Sequence, residues 1–426
     1  MALRRLAWCV TLAGALGGSP VEDALQTVAD ELAKAYDISA ALAVYGSYKG
    51  KALDAQASAG FVDGGLGMGP HSEPGSTSDP YVYGSITKMF TAAAIFQLVE
   101  NGTVGLDDPI ATHVDPMLAP GSLAATVLKN DATRAATVTI RQCLHMTSGI
   151  GDYDAGNYAK EQFASPDRDF SPFDILKGGF VNASLLYPPG KYQDYSSTNY
   201  ILLGLVAARY AVPGAATDPE AAWKAYDQLA VAPAAVRALM PRSRFADAGP
   251  CANFTRVHGY MQQYGGEPTV DAWDVSCVGG WTAGNYVGPV RDLAVFTKAL
   301  YGGGGVVDAT SLEVMTDWGD SRFAWYGAGT FKLDWSVGYA TPAVGHVGDT
   351  YGYQSSTTYF PDYGFALTFA SNAETTAQAQ SGDAACRGFH ALRAALGAGP
   401  KVACTFTVPK GRRFMGSCKC ANATAV

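Results

Sequence analysis

Histidine is scarce in this 426-residue chain, and its six copies are scattered. His71, His113, His145, His258, His346 and His390 form no H-x-H or H-x-x-x-H pair, the spacings that set two imidazoles on one face of a strand or helix. No metal site is indicated, and no cofactor is expected. Charge is thin as well: only 16% of residues are charged, with a formal net charge of -8. A nucleic-acid binder would normally present a basic face, so that class of partner is excluded. There is no G-x-S-x-G, which removes the nucleophile elbow of the α/β-hydrolases. Internal repeats are absent too. Beyond the N-terminus no apolar run is long enough for a membrane helix.

What is present is globular in character. Hydrophobic residues make up 48% of the chain, enough to build a large core. The first residues, MALRRLAWCVTLAGALGGSP, place Arg4 and Arg5 ahead of an apolar stretch from Leu6 to Leu16 and then small residues. That is the plan of a secretory leader over residues 1–18, and the protein is expected in the secretory lumen or outside the cell, without stable membrane insertion once the leader is removed. Four N-x-S/T sequons, at Asn101, Asn182, Asn253 and Asn422, agree with export. Losing Cys9 with the leader leaves seven of the eight cysteines. Cys251 with Cys277, and Cys404 with Cys418 or Cys420, are candidate bridges, although spacing does not fix pairing. Cys143, in apolar surroundings, reads as a small buried hydrophobe.

Organisation follows from the pattern of runs and breaks. ISAALAVYGSYKGKALDAQASAGF, from Ile38, reads as a hairpin turning at Lys-Gly. A helix opening at Ser85 ends at Asn101-Gly102. PVRDLAVFTKALY is amphipathic, with Leu293, Phe296 and Leu300 on one side. VGHVGD, YQSSTTYF and FALTFASN read as strands, the last two joined by the turn Pro361-Asp362-Tyr363-Gly364. A helix from about Asp383 to Leu396 follows. Strands at both ends with helices between them predict an α+β sandwich: one antiparallel sheet built from the two chain ends and flanked by helices. The layout is a main domain over 22–400, a mostly helical insertion over about 111–275, and a cysteine-containing tail over 401–426.

The chemistry centres on YVYGSITKMF, residues 81–90. Residues i and i+3 of a helix share a face, so Ser85 and Lys88 meet if the helix starts near Ser85. The run that follows, MFTAAAIFQLV, is apolar almost all round, which buries the lysine. Burial depresses a lysine pKa, and a neutral amine can then take a hydroxyl proton. Serine is also a common N-cap, so the pair alone is not diagnostic. No other lysine of the chain, however, has a serine three residues earlier. In YQDYSSTNYILLGLV, Tyr195 and Ser197 precede another buried helix. An ammonium nearby is expected to stabilise the Tyr195 phenolate and make it a proton shuttle. In GHVGDTYGY, Gly348 is expected to let a substrate carbonyl approach the strand, and the N–H of Asp349 to donate to an oxyanion.

With these three segments in order, SITK, YSS and HVG, the sequence resembles the serine beta-lactamase and penicillin-binding-protein-like hydrolases. The likeness is greatest to the branch of class C enzymes, D-alanyl-D-alanine carboxypeptidases and esterases. TIRQCLHMTSGIGDYD, PPGKYQDYSSTNYILLG and VGGWTAGNYVGPVRDLAVFTKAL extend it across roughly residues 25 to 395. The resemblance implies Ser85 as acylated nucleophile, Lys88 and Tyr195 as the proton-transfer pair, and the backbone N–H groups of Ser85 and Asp349 as oxyanion hole. It also implies that His346 stands for the lysine that often holds a substrate carboxylate, with Ser197 and Gly348 at the substrate. One departure is that Ser197 replaces the asparagine of Y-x-N, with Asn199 two residues on. A hydroxyl makes fewer hydrogen bonds than an amide, which weighs against efficient beta-lactam hydrolysis.

The expected protein is therefore a serine hydrolase acting through an acyl-enzyme on a small-molecule or peptide substrate, either an ester or a D-amino-acid amide or peptide. The alternatives are a beta-lactamase, and a non-catalytic binding or structural module of the same fold. Nothing in the sequence fixes the substrate or the oligomeric state.

Overall fold

A computed structural model describes residues 18–400, apart from 156, 263–268, 320–324, 335–340 and 376–378, and also 402–407 and 417–420. The expected leader, except for Gly18, lies outside the described residues, as do the sequon at Asn422 and much of the tail.

Two strands, β1 (Ala40–Tyr48) and β2 (Lys51–Ala59), turn at Lys49-Gly50, where both residues have positive φ. Four more come from the far end of the chain: β3 (Phe331–Lys332), β4 (Val344–Thr350), β5 (Tyr353–Phe360) and β6 (Phe365–Ser371). Together they form one sheet in the order β2-β1-β6-β5-β4-β3, and every neighbouring pair is antiparallel. The sheet thus joins the two chain ends, as expected.

Every residue of β5 and β6 is buried, which requires cover on both faces. Helix α1 (Pro20–Tyr36) begins with a capping box between Ser19 and Glu22 and buries Leu25, Val28, Ala29 and Leu32, a one-sided stripe. It packs with the C-terminal helix Gln380–Ala395, whose Gly388 lies against Leu367 of β6. The neighbouring Thr368 points the other way, and its hydroxyl continues through Thr357 to Thr297. Thr297 belongs to Val290–Tyr301, which covers that second face.

Against this helix lies α2 (Thr87–Glu100), with Phe90 stacked on Phe296 at 3.6 Å between ring centroids. Another apolar helix, α3 (Thr198–Ala211), packs on α2. Both are buried along most of their length, so each is apolar on nearly every side. Among the described residues, the region from 111 to 275 carries, besides α3, short helices and short strands at 244–245, 260–262 and 269–271. Among the described residues no helix is long and apolar enough to cross a membrane.

Cys251 and Cys277 are bridged. Cys404 is bridged to Cys386 of the C-terminal helix, not to Cys418 or Cys420 as the spacing in the tail had suggested. The helix brings Cys386 beside a residue distant in sequence, which spacing in the tail does not reveal. Cys143 is free and buried.

Candidate active site

The short strand Tyr81–Val82 pairs with Tyr286–Gly288, and Gly84 then turns with φ of 54° into a bridge with Asn285. That left-handed turn suits glycine and leaves Ser85 at the mouth of α2. The helix proper begins at Thr87, two residues later than expected. Its first turn is a tighter one, with Thr87 N–H donating to Gly84 C=O and Lys88 N–H to Ser85 C=O. The two side chains still meet: Lys88 Nζ donates to Ser85 Oγ at 2.9 Å.

Lys88 is fully buried, and its ammonium also donates to the Ala283 carbonyl at 2.9 Å. Ala283 lies in the Gly279–Gly284 segment, which approaches α3 closely. A Cβ on Gly204 of α3 would come within 1.9 Å of Thr282 Oγ1, so glycine is required there. Desolvation pushes Lys88 from its ordinary 10.5 down to about 7, against the opposing pull of Asp152 and Asp154. Asp152 is driven up, first by burial and then by repulsion from Asp154, while Lys88 pulls it down. The two groups titrate as a pair.

Tyr195 lies beside them, with Lys88 Nζ 5.0 Å from its ring centroid. Its hydroxyl is buried without a well-formed hydrogen bond, though Ser85 is near enough to favour its ionised form. The expectation of a stabilised phenolate is overturned. Burial dominates and holds the Tyr195 pKa well above its ordinary value, so the group at rest is a neutral phenol, a proton donor.

The remaining predicted residues divide. Tyr351-Gly352 forms a two-residue turn closed by Thr350 and Tyr353, which places Asp349 opposite Gln354 in the non-hydrogen-bonded position. Its N–H therefore points off β4 toward Gly84, and a Cβ on Gly84 would sit 3.1 Å from that nitrogen. Ser85 and Asp349 line the same cleft, of roughly 230 Å³, together with Tyr195 and Ser197.

Gly348 is tightly constrained for another reason than expected. A Cβ there would fall 1.9 Å from the Tyr83 carbonyl, so this glycine lets β4 press against the segment carrying Ser85. It does not line the cleft, and the expectation of direct substrate approach at Gly348 is corrected.

His346 is corrected as well. It is fully buried, with Nε2 3.0 Å from the Tyr326 hydroxyl and Nδ1 2.5 Å from the Val347 carbonyl oxygen. Burial, and then the Lys88 charge, hold its pKa well below the ordinary value, so the ring is neutral and cannot bind a substrate carboxylate. Asn199 does not stand in for the missing amide: its side chain accepts from Ser148 Oγ at 2.7 Å, away from the cleft.

Sequence reasoning missed the residue that faces Lys88 most directly. Asp152 accepts the Ser197 N–H at 3.1 Å and acts on Lys88 electrostatically. It lies in TSGIGDYD, a stretch used only for its family likeness. Two acids around a tyrosine in a loop carry no spacing signal, since loops are rich in such residues.

The sequence model of the Beta-lactamase family matches residues 30–388, most of the chain. Protein flp of Staphylococcus aureus (strain COL) is 29% identical over 131 residues, 31% of this chain and 23% of that protein. The matched segment is thus less than a quarter of that relative's length. Among solved structures, a D-stereospecific amidohydrolase from Streptomyces sp. superposes with a TM-score of 0.64 at 22% identity, covering 88% of this chain and 97% of the other. A D-amino acid amidase from Ochrobactrum anthropi SV3, complexed with L-phenylalanine amide, gives 0.66 at 21% identity, covering 88% and 99%. At such identities these two structures establish the shared fold, beta-lactamase/transpeptidase-like. With the family match spanning the whole described sheet and the cleft at its edge, the chain belongs to the Beta-lactamase family.

Proposed function

We propose that the protein hydrolyses an amide or ester through an acyl-enzyme on Ser85. The observation that carries this reading is the 2.9 Å contact between Ser85 Oγ and a fully buried Lys88 whose amine loses its proton near neutrality. In the neutral form the amine accepts the Ser85 proton as Oγ attacks the acyl carbon. The N–H groups of Ser85 and Asp349, both at the cleft, receive the developing oxyanion. The Tyr195 phenol gives its proton to the leaving nitrogen or oxygen and recovers one from the Lys88 ammonium. A water then repeats the sequence and releases the acid.

The finer reading is a D-amino-acid amide or peptide as substrate, supported by the fold shared with an enzyme named as a D-amino acid amidase and another named as a D-stereospecific amidohydrolase. Efficient beta-lactam hydrolysis is not expected, because Ser197 is a hydroxyl where an amide would serve and Asn199 is engaged elsewhere. We also propose that the chain acts outside the cytosol, a reading supported by the two disulfides among the described residues and by the leader pattern.

The test is labelling with a fluorescent fluorophosphonate alongside turnover of p-nitrophenyl esters, a D-alanyl-D-alanine peptide, D-phenylalaninamide and a chromogenic cephalosporin. Wild type is expected to be labelled and to turn over the amide or an ester, and Ser85→Ala to lose both. Absence of labelling in the wild type would favour the non-catalytic module.

A further inference from the structure

Helix α2 is apolar on nearly every side, yet three polar side chains are buried on it: Thr87, Lys88 and Thr91. Positions 87, 88 and 91 share one face. All three reach a single short stretch of backbone. Thr87 Oγ1 accepts the Tyr286 N–H at 2.9 Å, and Lys88 Nζ donates to the Ala283 carbonyl at 2.9 Å. Thr91 Oγ1 donates to the Thr282 carbonyl at 2.6 Å. A threonine inside a helix commonly turns its hydroxyl onto its own helix, four residues back, as Thr297 does with the Leu293 carbonyl. Thr91 instead directs its donor across the interface, to the carbonyl next to the one that Lys88 uses.

The receiving stretch is held from outside. Trp281 has φ of 33°, a left-handed conformation that a bulky side chain rarely adopts, immediately before Thr282 and Ala283. Such a conformation persists where neighbours over-determine it. The neighbours here are α2 and α3. The fully buried Thr282 accepts from Thr91 through its carbonyl and donates through Oγ1 to the Tyr200 carbonyl at 2.9 Å. Thr282 is thus pinned from both helices, and Ala283 follows it.

A neutral amine has two N–H donors and one lone pair. With one N–H committed to the Ala283 carbonyl, the lone pair is steered toward Ser85 Oγ, 2.9 Å away. While the amine is charged, the same carbonyl stabilises it. The other groups that face the amine are the acids Asp152 and Asp154, the Tyr195 and Tyr200 rings at 5.0 and 5.8 Å, and neutral His346.

We propose that Thr91 is a positioning residue for acyl-enzyme formation, its hydroxyl holding the 281–286 segment where the Ala283 carbonyl orients the Lys88 amine toward Ser85. The inference rests on the acyl-enzyme reading above and deepens it. Thr91 itself touches no reacting atom; it acts through Thr282 and Ala283.

The test is the second-order rate of fluorophosphonate labelling of Ser85 on the full chain, followed across pH. In the wild type the rate should rise as Lys88 loses its proton, about 7. Thr91→Val keeps the shape and removes the donor. Its plateau should fall about tenfold or more through misorientation of the amine. Its rise should also move to lower pH, because the ammonium has lost a well-placed acceptor. Thr91→Ser, which keeps the hydroxyl, should restore both features. Thr282→Val removes the opposite anchor, should shift the profile in the same sense, and decides the matter if Thr91→Val does not fold. A valine variant that keeps the wild-type midpoint, whatever its plateau, would overturn the proposal and leave the acyl-enzyme standing. Equal damage in Thr91→Ser would do the same, since packing and not the hydroxyl would then be responsible. Failure of the wild type to label at any pH would overturn both.

Discussion

Lys88 should destabilise the protein at neutral pH and cease to do so in alkali. Its amine is fully buried and loses its proton at about 7 in the fold, against an ordinary 10.5. Between those values the unfolded chain holds a proton that the folded chain does not. Stability then rises with pH, by about 1.4 kcal/mol per unit for one proton. Below 7 both states are protonated and the full cost of burying the charge remains. Above 10.5 both are neutral and the cost is gone. Asp152 also has a displaced pKa, but its shift ends near 7, so a window from pH 8 to pH 10 isolates the lysine. Across that window, allowing for partial titration of the unfolded chain at the top, wild type should gain about 2–3 kcal/mol relative to Lys88→Met. The methionine has similar length and no charge, so the comparison cancels most packing effects. Urea unfolding of both proteins at the two pH values measures the difference directly. Parallel behaviour of the two proteins would mean that the amine keeps its proton in the fold. It could not then serve as base at neutrality, and the mechanism would fail with it.

Two further outcomes follow from the same geometry. Tyr195→Phe should leave the unfolding midpoint nearly unchanged, because the lost hydroxyl makes no well-formed hydrogen bond, while kcat falls by about 10²–10⁴-fold in steady-state assays. Gly348→Ala should cost about 1–3 kcal/mol in urea denaturation and slow Ser85 labelling, since a methyl 1.9 Å from the Tyr83 carbonyl must push β4 away from the nucleophile segment.

Local rules explain why much of this was readable in advance. The hairpin at Lys49-Gly50, the buried α2 and the turn before β6 each follow from a short pattern of apolar residues and turn formers. The Ser85–Lys88 contact needs only one helical turn, so spacing was enough to find it. What was misjudged depends on surroundings that no short window contains. The burial of His346 arises from Tyr326 and Phe331, and its neutrality from that enclosure. Tyr195 stays neutral because desolvation outweighs any favourable field, a balance set by the packing of the cleft. Asp152, in a loop, and Glu374, in the short strand Ala373–Glu374, are far apart in sequence, and only the closed sheet sets both along one wall. Cys386 likewise needs the terminal helix in place before its partner can be named.

Because the first two strands and the last four share one sheet, the serine and the amide that would steady its oxyanion are made at opposite ends of synthesis. A nascent chain can fold α2 early yet holds an incomplete centre until β4 arrives. Such distant pairings make folding slow, and they delay competence until the whole polypeptide is available. A centre assembled this way stays incomplete while the chain is being made, and can react only once folding is finished.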